Sequence, residues 1–257
     1  MNRRLMELPA KEQRGSRARC IVITDGSKDE VANLLTAMVG PFGSIDPTRH
    51  VWAPGGFANP EEGKLGKTPN FLSETQRGDL LNWWLAARHP QANVPNWDLV
   101  SQATINGCEG LILVEAKAHE AELDPTGKRI DDDASVESIT NHKGIANRIS
   151  EASDALSSAT GFDWKLSRDT HYQMSNRFAW AWKLTTMGIP VILVYLGFLN
   201  ADEMRDRGGP FQSHDHWRRV VESHSQSLFP NTVWEVSCKI NGGELIPLIR
   251  SMTVPLG

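Results

Sequence analysis

Two acidic residues and one lysine lie in a short stretch of the chain where their spacing could support chemistry. Asp98 begins an extended segment rich in Leu, Val, Thr and Ile, and Glu115 and Lys117 end a second apolar run. The pair Asn106-Gly107 lies between the two runs. It is a strong hairpin indicator, because both central residues of a type I′ turn need positive φ. The stretch therefore predicts a β-hairpin whose open end carries Asp98, Glu115 and Lys117.

The register of this hairpin decides whether the three side chains meet. With the Asn-Gly pair as a two-residue turn, Ile105 pairs with Cys108, and Asp98 lies opposite Glu115 with their Cβ atoms about 5 Å apart. Lys117 is two residues further along the strand, so it projects from the same face as Glu115. A longer turn would shift the pairing by a few residues and would still leave the three groups close to one another.

Two facing carboxylates need a counter-charge, because like charges repel at this distance and each carboxylate loses hydration if it is buried. A bound divalent cation meets this need. Mg²⁺ suits carboxylates and a backbone carbonyl, keeps several waters, and completes its shell with phosphate oxygens; Mn²⁺ is the alternative ion. Such an ion positions and acidifies an attacking water, and the lysine could orient that water or stabilise developing charge. The other interpretation is an ion cluster at the end of a surface strand.

Asp98, followed after an apolar strand by Glu115-Ala116-Lys117, resembles the PD-(D/E)XK nuclease superfamily, which has the restriction-endonuclease-like fold. This resemblance implies that Asp98 and Glu115 hold Mg²⁺ and that Lys117 assists the water. The proline that often directly precedes the aspartate stands further upstream here, at Pro95. The resemblance covers about half of the chain, and the hairpin is its most specific part.

A predicted helix upstream of the hairpin supplies a third acid. Ser73, with Gln76 as its capping-box partner, begins a helix that runs to about Arg88 and has Glu74 in its first turn. Many members of the superfamily carry an acid on the helix before the hairpin, so the resemblance implies Glu74 as a further metal ligand. The alternative is a glutamate favoured by the helix dipole.

A second predicted helix, over Thr170–Met187, comes before a buried strand at Ile189–Leu196. Gln173 and Arg177 form an i, i+4 pair on this helix. Some branches of the superfamily place Gln or Arg here, facing the metal site, so the resemblance implies that both residues bind substrate. Guanidinium is well suited to phosphate contact. The alternative is a hydrogen-bonded pair on the helix surface.

The remaining pattern predicts helices and strands around these segments. In chain order we expect a buried strand at Cys20–Thr24, a Ser27-capped helix to about Val39, a long irregular segment over residues 40–70 with a short strand at His50–Trp52, a helix from Ser135 or Asn141 to Ser158, a helix over Asp215–Phe229, and a second hairpin around Asn241-Gly242-Gly243 that pairs with the Cys20 strand. The sequence thus predicts an α/β protein with a central mixed β-sheet flanked by helices.

The resemblance implies a restriction-endonuclease-like core with N-terminal and C-terminal additions. Residues 1–70 would form a strand-helix unit and long loop packed on the core. Residues 71–257 would form the PD-(D/E)XK-like core, complete by about residue 200, and a C-terminal helix and hairpin. Among the chain's 257 residues the formal net charge is −4, which argues against a non-specific nucleic-acid coat but not against a local basic cleft.

Composition also indicates the compartment. The three cysteines have no metal-ligand spacing, and a sparse odd set is typical of a reducing cytoplasm. No apolar run is long enough to cross a membrane, and no apolar core follows the basic N-terminus, so we expect a cytoplasmic protein without a signal peptide.

Taken together, these features predict a Mg²⁺-dependent nuclease that hydrolyses phosphodiester bonds, with DNA as the expected partner. Cuts on both strands would favour a homodimer. Two alternatives remain open. One is a non-catalytic interaction module on a nuclease-like fold, and the other is a metal-dependent hydrolase of a small phosphoester.

Overall fold

The computed structural model describes residues 3–68, 70–87 and 94–256. The α-helices are α1 (Gly15–Ile23), α2 (Lys28–Val39), α3 (Glu74–Trp84), α4 (Val136–Thr160), α5 (Tyr172–Thr186) and α6 (His214–Ser225). The strands are β1 (Gly43–Ser44), β2 (Trp52–Ala53), β3 (Leu99–Ile105), β4 (Cys108–Lys117), β5 (Val191–Leu199), β6 (Cys238–Ile240) and β7 (Gly243–Thr253). Short 3-10 helices cover Arg3–Glu7, Ala10–Glu12, Gly56–Ala58, Glu120–Glu122, Asp202–Met204 and Asn231–Val233.

Within these ranges the strands form one mixed sheet of seven strands in the order β1-β3-β4-β5-β7-β6, with β2 also paired to β3. Strands β3 and β4 form an antiparallel hairpin, and β4, β5 and β7 run parallel. Strand β6 pairs antiparallel with β7 at one edge, and β1 and β2 pair antiparallel with β3 at the other. The predicted α/β class with a central mixed sheet is confirmed.

Successive side chains of a strand point to opposite faces of the sheet, and apolar residues on both faces form one hydrophobic core on each side. On one face, Ile112 and Val114 of β4 belong to a core shared with buried residues of α1 and α2. On the other face, Leu111 and Leu113 pack in a core shared with α3, α4, α5 and α6. The same alternation points Glu115 towards the second layer of helices, which contains α5.

The predicted strand at Cys20–Thr24 is wrong, because these residues belong largely to α1. A short buried apolar run does not distinguish a strand from a buried helix by periodicity. The helix is held by contacts that are distant in sequence. Buried Arg19 donates to both carboxylate oxygens of Glu203 and to the carbonyl oxygen of Val254. The predicted pairing of the C-terminal hairpin with this segment is therefore also wrong, and β7 pairs with β5 instead.

The helix starts and the turn predicted from local sequence patterns are present in the structure. The capping boxes at Ser27 and Ser73 are both present. Helix α3 ends at Trp84, and the predicted end at Arg88 lies outside the described residues. The second hairpin turns at Asn241 and Gly242, with φ of 47° and 83°.

The helices predicted from Ser135 or Asn141 and from Asp215 are both present, as α4 and α6. Ser135 is the N-cap of α4, and its side chain accepts a hydrogen bond from the backbone of Ser138. Helix α6 ends at Ser225, before the predicted end at Phe229.

Residues 1–70 contribute to both the sheet and one helical layer. The short strand predicted at His50–Trp52 is observed at Trp52–Ala53, which pairs with β3. Helices α1 and α2 cover one face of the sheet. In the described ranges, no helix combines the length and apolarity needed to span a lipid bilayer.

Candidate active site

The β3–β4 hairpin has the register that the sequence predicts. Asn106 and Gly107 have φ of 47° and 86°, as a type I′ turn requires. The ladder continues to the pair Leu99 and Val114. The next positions outward are Asp98 and Glu115, so the two acids meet at the open end of the hairpin.

Glu115 is almost fully buried, with 1% of its surface exposed. Its Oε1 lies 2.5 Å from the ammonium of Lys117, and its Oε2 accepts a hydrogen bond of 2.5 Å from Nε of Arg177. Burial would raise the pKa of Glu115, but the charges of Arg177 and Lys117 outweigh burial and hold that pKa below its ordinary value. Glu115 is therefore a carboxylate at neutral pH, neutralised from two sides.

Asp98 is in a different electrostatic position. Its Oδ2 accepts a hydrogen bond of 2.8 Å from the backbone N–H of Ala116, and Oδ1 has no hydrogen-bond or ion-pair partner among the described residues. Burial, with the charge of Glu115, raises the pKa of Asp98 to about 7, while Lys117 and the Ala116 N–H oppose that rise. The site thus contains one neutralised acid and one acid that lacks a full counter-charge.

Lys117 is also buried, with 6% of its surface exposed. Burial would lower its pKa, but the charges of Glu115 and Asp98 raise the pKa above its ordinary value. Lys117 is consequently an ammonium that bonds to Glu115 and is also influenced by the charge of Asp98. Such a group can donate hydrogen bonds to a water or to an oxyanion.

Arg177 reaches this hairpin end from the second turn of α5. Besides its ion pair with Glu115, it donates to Oδ1 of Asn176 at 2.9 Å and to the carbonyl oxygen of Asn96 at 2.7 Å. Its guanidinium lies 4.7 Å from the ring centroid of Trp97. These partners fix the orientation of the Arg177 guanidinium. The structure therefore places Arg177 next to the predicted acid Glu115.

Gln173 is one helical turn before Arg177. Both residues line a cavity of about 390 Å³. Gln173 does not contact the acids directly. The predicted pair is therefore divided between two places: Arg177 joins the site, and Gln173 faces the adjoining cavity.

Glu74 does not join the other predicted site residues. It is exposed in the first turn of α3. Two residues later, Gln76 lines a cavity together with Gly110 and Leu111, near the start of β4, whereas Glu115 lies near its end. Over the parts of the chain that the structure describes, no three His, Cys, Asp or Glu side chains are grouped as metal ligands.

Glu62 is an acid near Asp98 that the sequence analysis did not identify. The adjacent residue Gly63 pairs through its backbone with Trp97, at N–O distances of 2.9 and 3.2 Å. Glu62 Oε2 accepts a hydrogen bond of 3.0 Å from the side chain of Asn96, and its charge adds to the raised pKa of Asp98. Nothing in the irregular segment over residues 40–70 marks this glutamate, because only the tertiary pairing brings it to the hairpin.

The donor set is compatible with a hard divalent cation. Asp98 offers one oxygen that has no partner among the described residues, and Glu115 lies at the position opposite, one step beyond the Leu99–Val114 pair. Mg²⁺ is commonly held by one or two carboxylates, with waters and substrate phosphate oxygens as its other ligands. Two carboxylates are therefore enough, even without a third acid in the group.

Comparison of the chain with protein-family models, with curated proteins and with solved structures gave no match. Function must therefore be inferred from the geometry and charge of the hairpin end. That end combines an acid of raised pKa, a neutralised acid, a buried ammonium and a fixed guanidinium.

Proposed function

We propose that this protein is a Mg²⁺-dependent nuclease that hydrolyses phosphodiester bonds in nucleic acid, with DNA as the preferred substrate. The observation that carries the proposal is the meeting of Asp98, Glu115 and Lys117 at one buried hairpin end. Asp98 and Glu115 would hold the ion, with Mn²⁺ as an alternative. When bound, the ion would acidify a coordinated water and offset charge on the phosphate.

The residues around the acids have complementary roles in this proposal. Lys117 orients the attacking water or stabilises the charge that develops on phosphate oxygens, because its ammonium is already bonded to Glu115, one of the two acids. Arg177 presents a planar guanidinium at the boundary with the neighbouring cavity and contacts a phosphate oxygen. Its bonds to Glu115 and Asn96 orient it before substrate binds.

The charge of the cluster supports the proposal. With Asp98, Glu115, Lys117 and Arg177 all ionised, the negative and positive charges cancel. A divalent cation would then make the site net positive. A net positive site attracts the negatively charged phosphodiester. It stabilises the transition state more strongly, because the transition state carries additional negative charge.

A hydrolase of a small phosphoester is the second candidate function. The two cavities that Asn96 lines have volumes of about 390 and 500 Å³, which is the size range of small-molecule pockets. A non-catalytic module is the third candidate, because Lys117 and Arg177 engage both carboxylate oxygens of Glu115, as in a structural ion cluster. Asp98 Oδ1, which has no partner in the described ranges, favours a metal site over such a cluster.

A cleavage assay tests the proposal. Supercoiled plasmid, linear duplex DNA, single-stranded DNA and RNA are incubated with wild type in Mg²⁺, in Mn²⁺ and in a chelator. Lys117→Ala leaves the Glu115–Arg177 pair in place, so this variant should fold. It should lose about 10²-fold or more in rate, as expected for removing a group that stabilises transition-state charge. Asp98→Asn should show a comparable loss together with weaker Mg²⁺ binding.

Glu74→Gln is the matched control, because Glu74 is an exposed acid away from the hairpin end. It should retain wild-type cleavage and wild-type Mg²⁺ affinity by calorimetry. The proposal is wrong if wild type cuts none of the nucleic acids and binds no Mg²⁺. Cleavage of bis(p-nitrophenyl) phosphate without cleavage of any nucleic acid would replace it with the small-phosphoester hydrolase.

A further inference from the structure

A cavity of about 390 Å³ adjoins the candidate active site through Arg177. Its walls come from the segment before β3, from the loop that carries Lys128, and from the first two turns of α5, which contribute Tyr172, Gln173 and Asn176. Arg177 therefore belongs to both places: its Nε contacts Glu115, and its side chain also lines this cavity. A ligand in the cavity would therefore meet the same arginine that binds Glu115.

The charge of this cavity favours an anion. Its described walls contain two cations, Lys128 and Arg177, and no carboxylate. Asn96 also lines a larger cavity, of about 500 Å³. There three basic residues are offset by three acidic ones: Lys11, Arg17 and Lys64 against Glu12, Glu61 and Glu62. Of these two cavities, only the one beside α5 has a clear positive balance.

Lys128 forms no ion pair with any acid in the described part of the chain. No carboxylate of the described residues lies within ion-pair distance of its ammonium, which instead lies 5.1 Å from the ring centroid of Tyr172. Partial burial lowers the pKa of Lys128 from its ordinary value. A half-buried ammonium over an aromatic face still has hydrogen bonds to donate, and phosphate is a suitable acceptor for them.

The remaining walls suit a nucleobase. Gln173 is half-exposed, and its amide makes no hydrogen bond to any residue in the described ranges. An amide offers both a donor and an acceptor, which matches the edge of a base. Val94, Pro95 and the ring of Tyr172 provide apolar surface for the face of a base.

We propose that this cavity binds one unstacked nucleotide of the substrate strand, next to the phosphate held at the acids. Lys128 contacts the phosphate of that nucleotide, and Gln173 contacts the edge of its base. The cavity is within the size range of pockets that hold small ligands, which begins at about 300 Å³. Because a base inside a cavity cannot remain stacked on its neighbours, single-stranded or frayed nucleic acid should be preferred over intact duplex. This inference rests on the proposed nuclease function.

Metal-free binding measurements test the cavity separately from catalysis. The four common deoxyribonucleoside 5′-monophosphates and inorganic phosphate are titrated into wild type and variants and followed by calorimetry or NMR. Wild type should bind the nucleotides more tightly than phosphate. Lys128→Gln should weaken nucleotide binding about tenfold, the size of one charge-assisted hydrogen bond, and Lys128→Arg should restore most of it. Gln173→Ala should reduce the differences among the four bases.

Lys64→Gln, in the cavity of balanced charge, is the matched control and should leave nucleotide binding within about twofold of wild type. The proposal is wrong if wild type binds no monophosphate, or if the two lysine variants weaken binding equally. Phosphate binding as tight as nucleotide binding would also overturn the base contact.

A cleavage comparison separates the failure of this inference from the failure of the proposed function. Lys128→Gln should raise KM for a single-stranded oligonucleotide, while Lys117→Ala should lower kcat. Cutting that needs Lys117 but is unchanged in Lys128→Gln would overturn the nucleotide cavity and leave the nuclease proposal standing. Lys128-dependent nucleotide binding without cleavage of any substrate would support the cavity and overturn the nuclease proposal.

Discussion

Glu115 is held by two cations that come from different parts of the fold. Lys117 approaches from the same strand, and Arg177 approaches from α5, each at 2.5 Å. All three side chains are more than nine-tenths buried. Removing the carboxylate charge would leave two buried cations facing each other, and uncompensated buried charge is strongly destabilising. At the scale of single residues, then, the candidate catalytic acid Glu115 also stabilises the folded protein.

Glu115→Gln should therefore lower the free energy of unfolding by about 3–5 kcal/mol, the range for breaking a buried ion pair from one side. The measurement is urea unfolding at pH 7, followed by tryptophan fluorescence. Glu74→Gln, at an exposed helix start, should change that free energy by no more than about 0.5 kcal/mol. Equal effects of the two substitutions would show that the Glu115 cluster is not buried as described.

The parallel pairing of β4 with β5 determines which residue lies beside Lys117 and how closely helix α6 can approach it. Lys117 pairs with Gly197, and the ring of Trp217 from α6 packs directly over that glycine. A Cβ at position 197 would lie 2.5 Å from the ring, so the close approach of α6 requires glycine. The indole N–H of Trp217 also donates to the carbonyl oxygen of Tyr195 at 3.3 Å. At the scale of elements, α6 thus closes the helical layer next to Lys117.

Gly197→Ala should lower the free energy of unfolding by about 1–3 kcal/mol, as overpacking of a filled core does. Gly78→Ala is the control of opposite sign, because Gly78 is in α3 and a Cβ there would meet nothing within 4 Å. It should raise stability by up to about 1 kcal/mol, since alanine is the better helix former. Thermal unfolding by circular dichroism distinguishes the two, and a stable Gly197→Ala protein would contradict the packing of Trp217.

At the scale of the whole molecule, helices α5 and α6 bring two histidines into contact. The rings of His171, before α5, and His224, in the last turn of α6, have centroids 4.6 Å apart. Burial, with the charges of His171 and Lys117, lowers the pKa of His224 to about 4, and Asp124 opposes this shift. Burial also lowers the pKa of His171. Protonation of this pair should therefore oppose folding.

The sign of the pH dependence follows from this shift. Between the ordinary pKa of 6.5 and the folded pKa of about 4, the unfolded chain binds a proton at His224 that the folded protein does not. Stability from this group is present above the ordinary pKa and is lost as pH falls towards the folded pKa. His224→Gln should flatten the acid limb of unfolding free energy against pH, while His214→Gln, at an exposed position, should leave it unchanged. Identical acid limbs in wild type and His224→Gln would contradict the burial of His224.

Features governed by neighbouring residues could be predicted from the sequence. The Asn106-Gly107 turn sets the register that places Asp98 opposite Glu115, and alternation then puts Lys117 on the same face. Capping boxes likewise locate the starts of α2 and α3. These predictions succeed because turn geometry, strand periodicity and caps depend on a few adjacent residues.

Contacts between distant segments were decided only by the tertiary structure. The apolar run around Cys20 belongs to a helix whose Arg19 is held by Glu203 and Val254, and no local pattern contains that information. Glu62 reaches the hairpin through the backbone pairing of its neighbour, and Lys128 reaches α5 through a loop. The sequence by itself therefore determined the paired acids and the lysine. The packing of remote segments determined which charges neutralise them and what cavity lies beside them, because burial and pKa depend on neighbours in space.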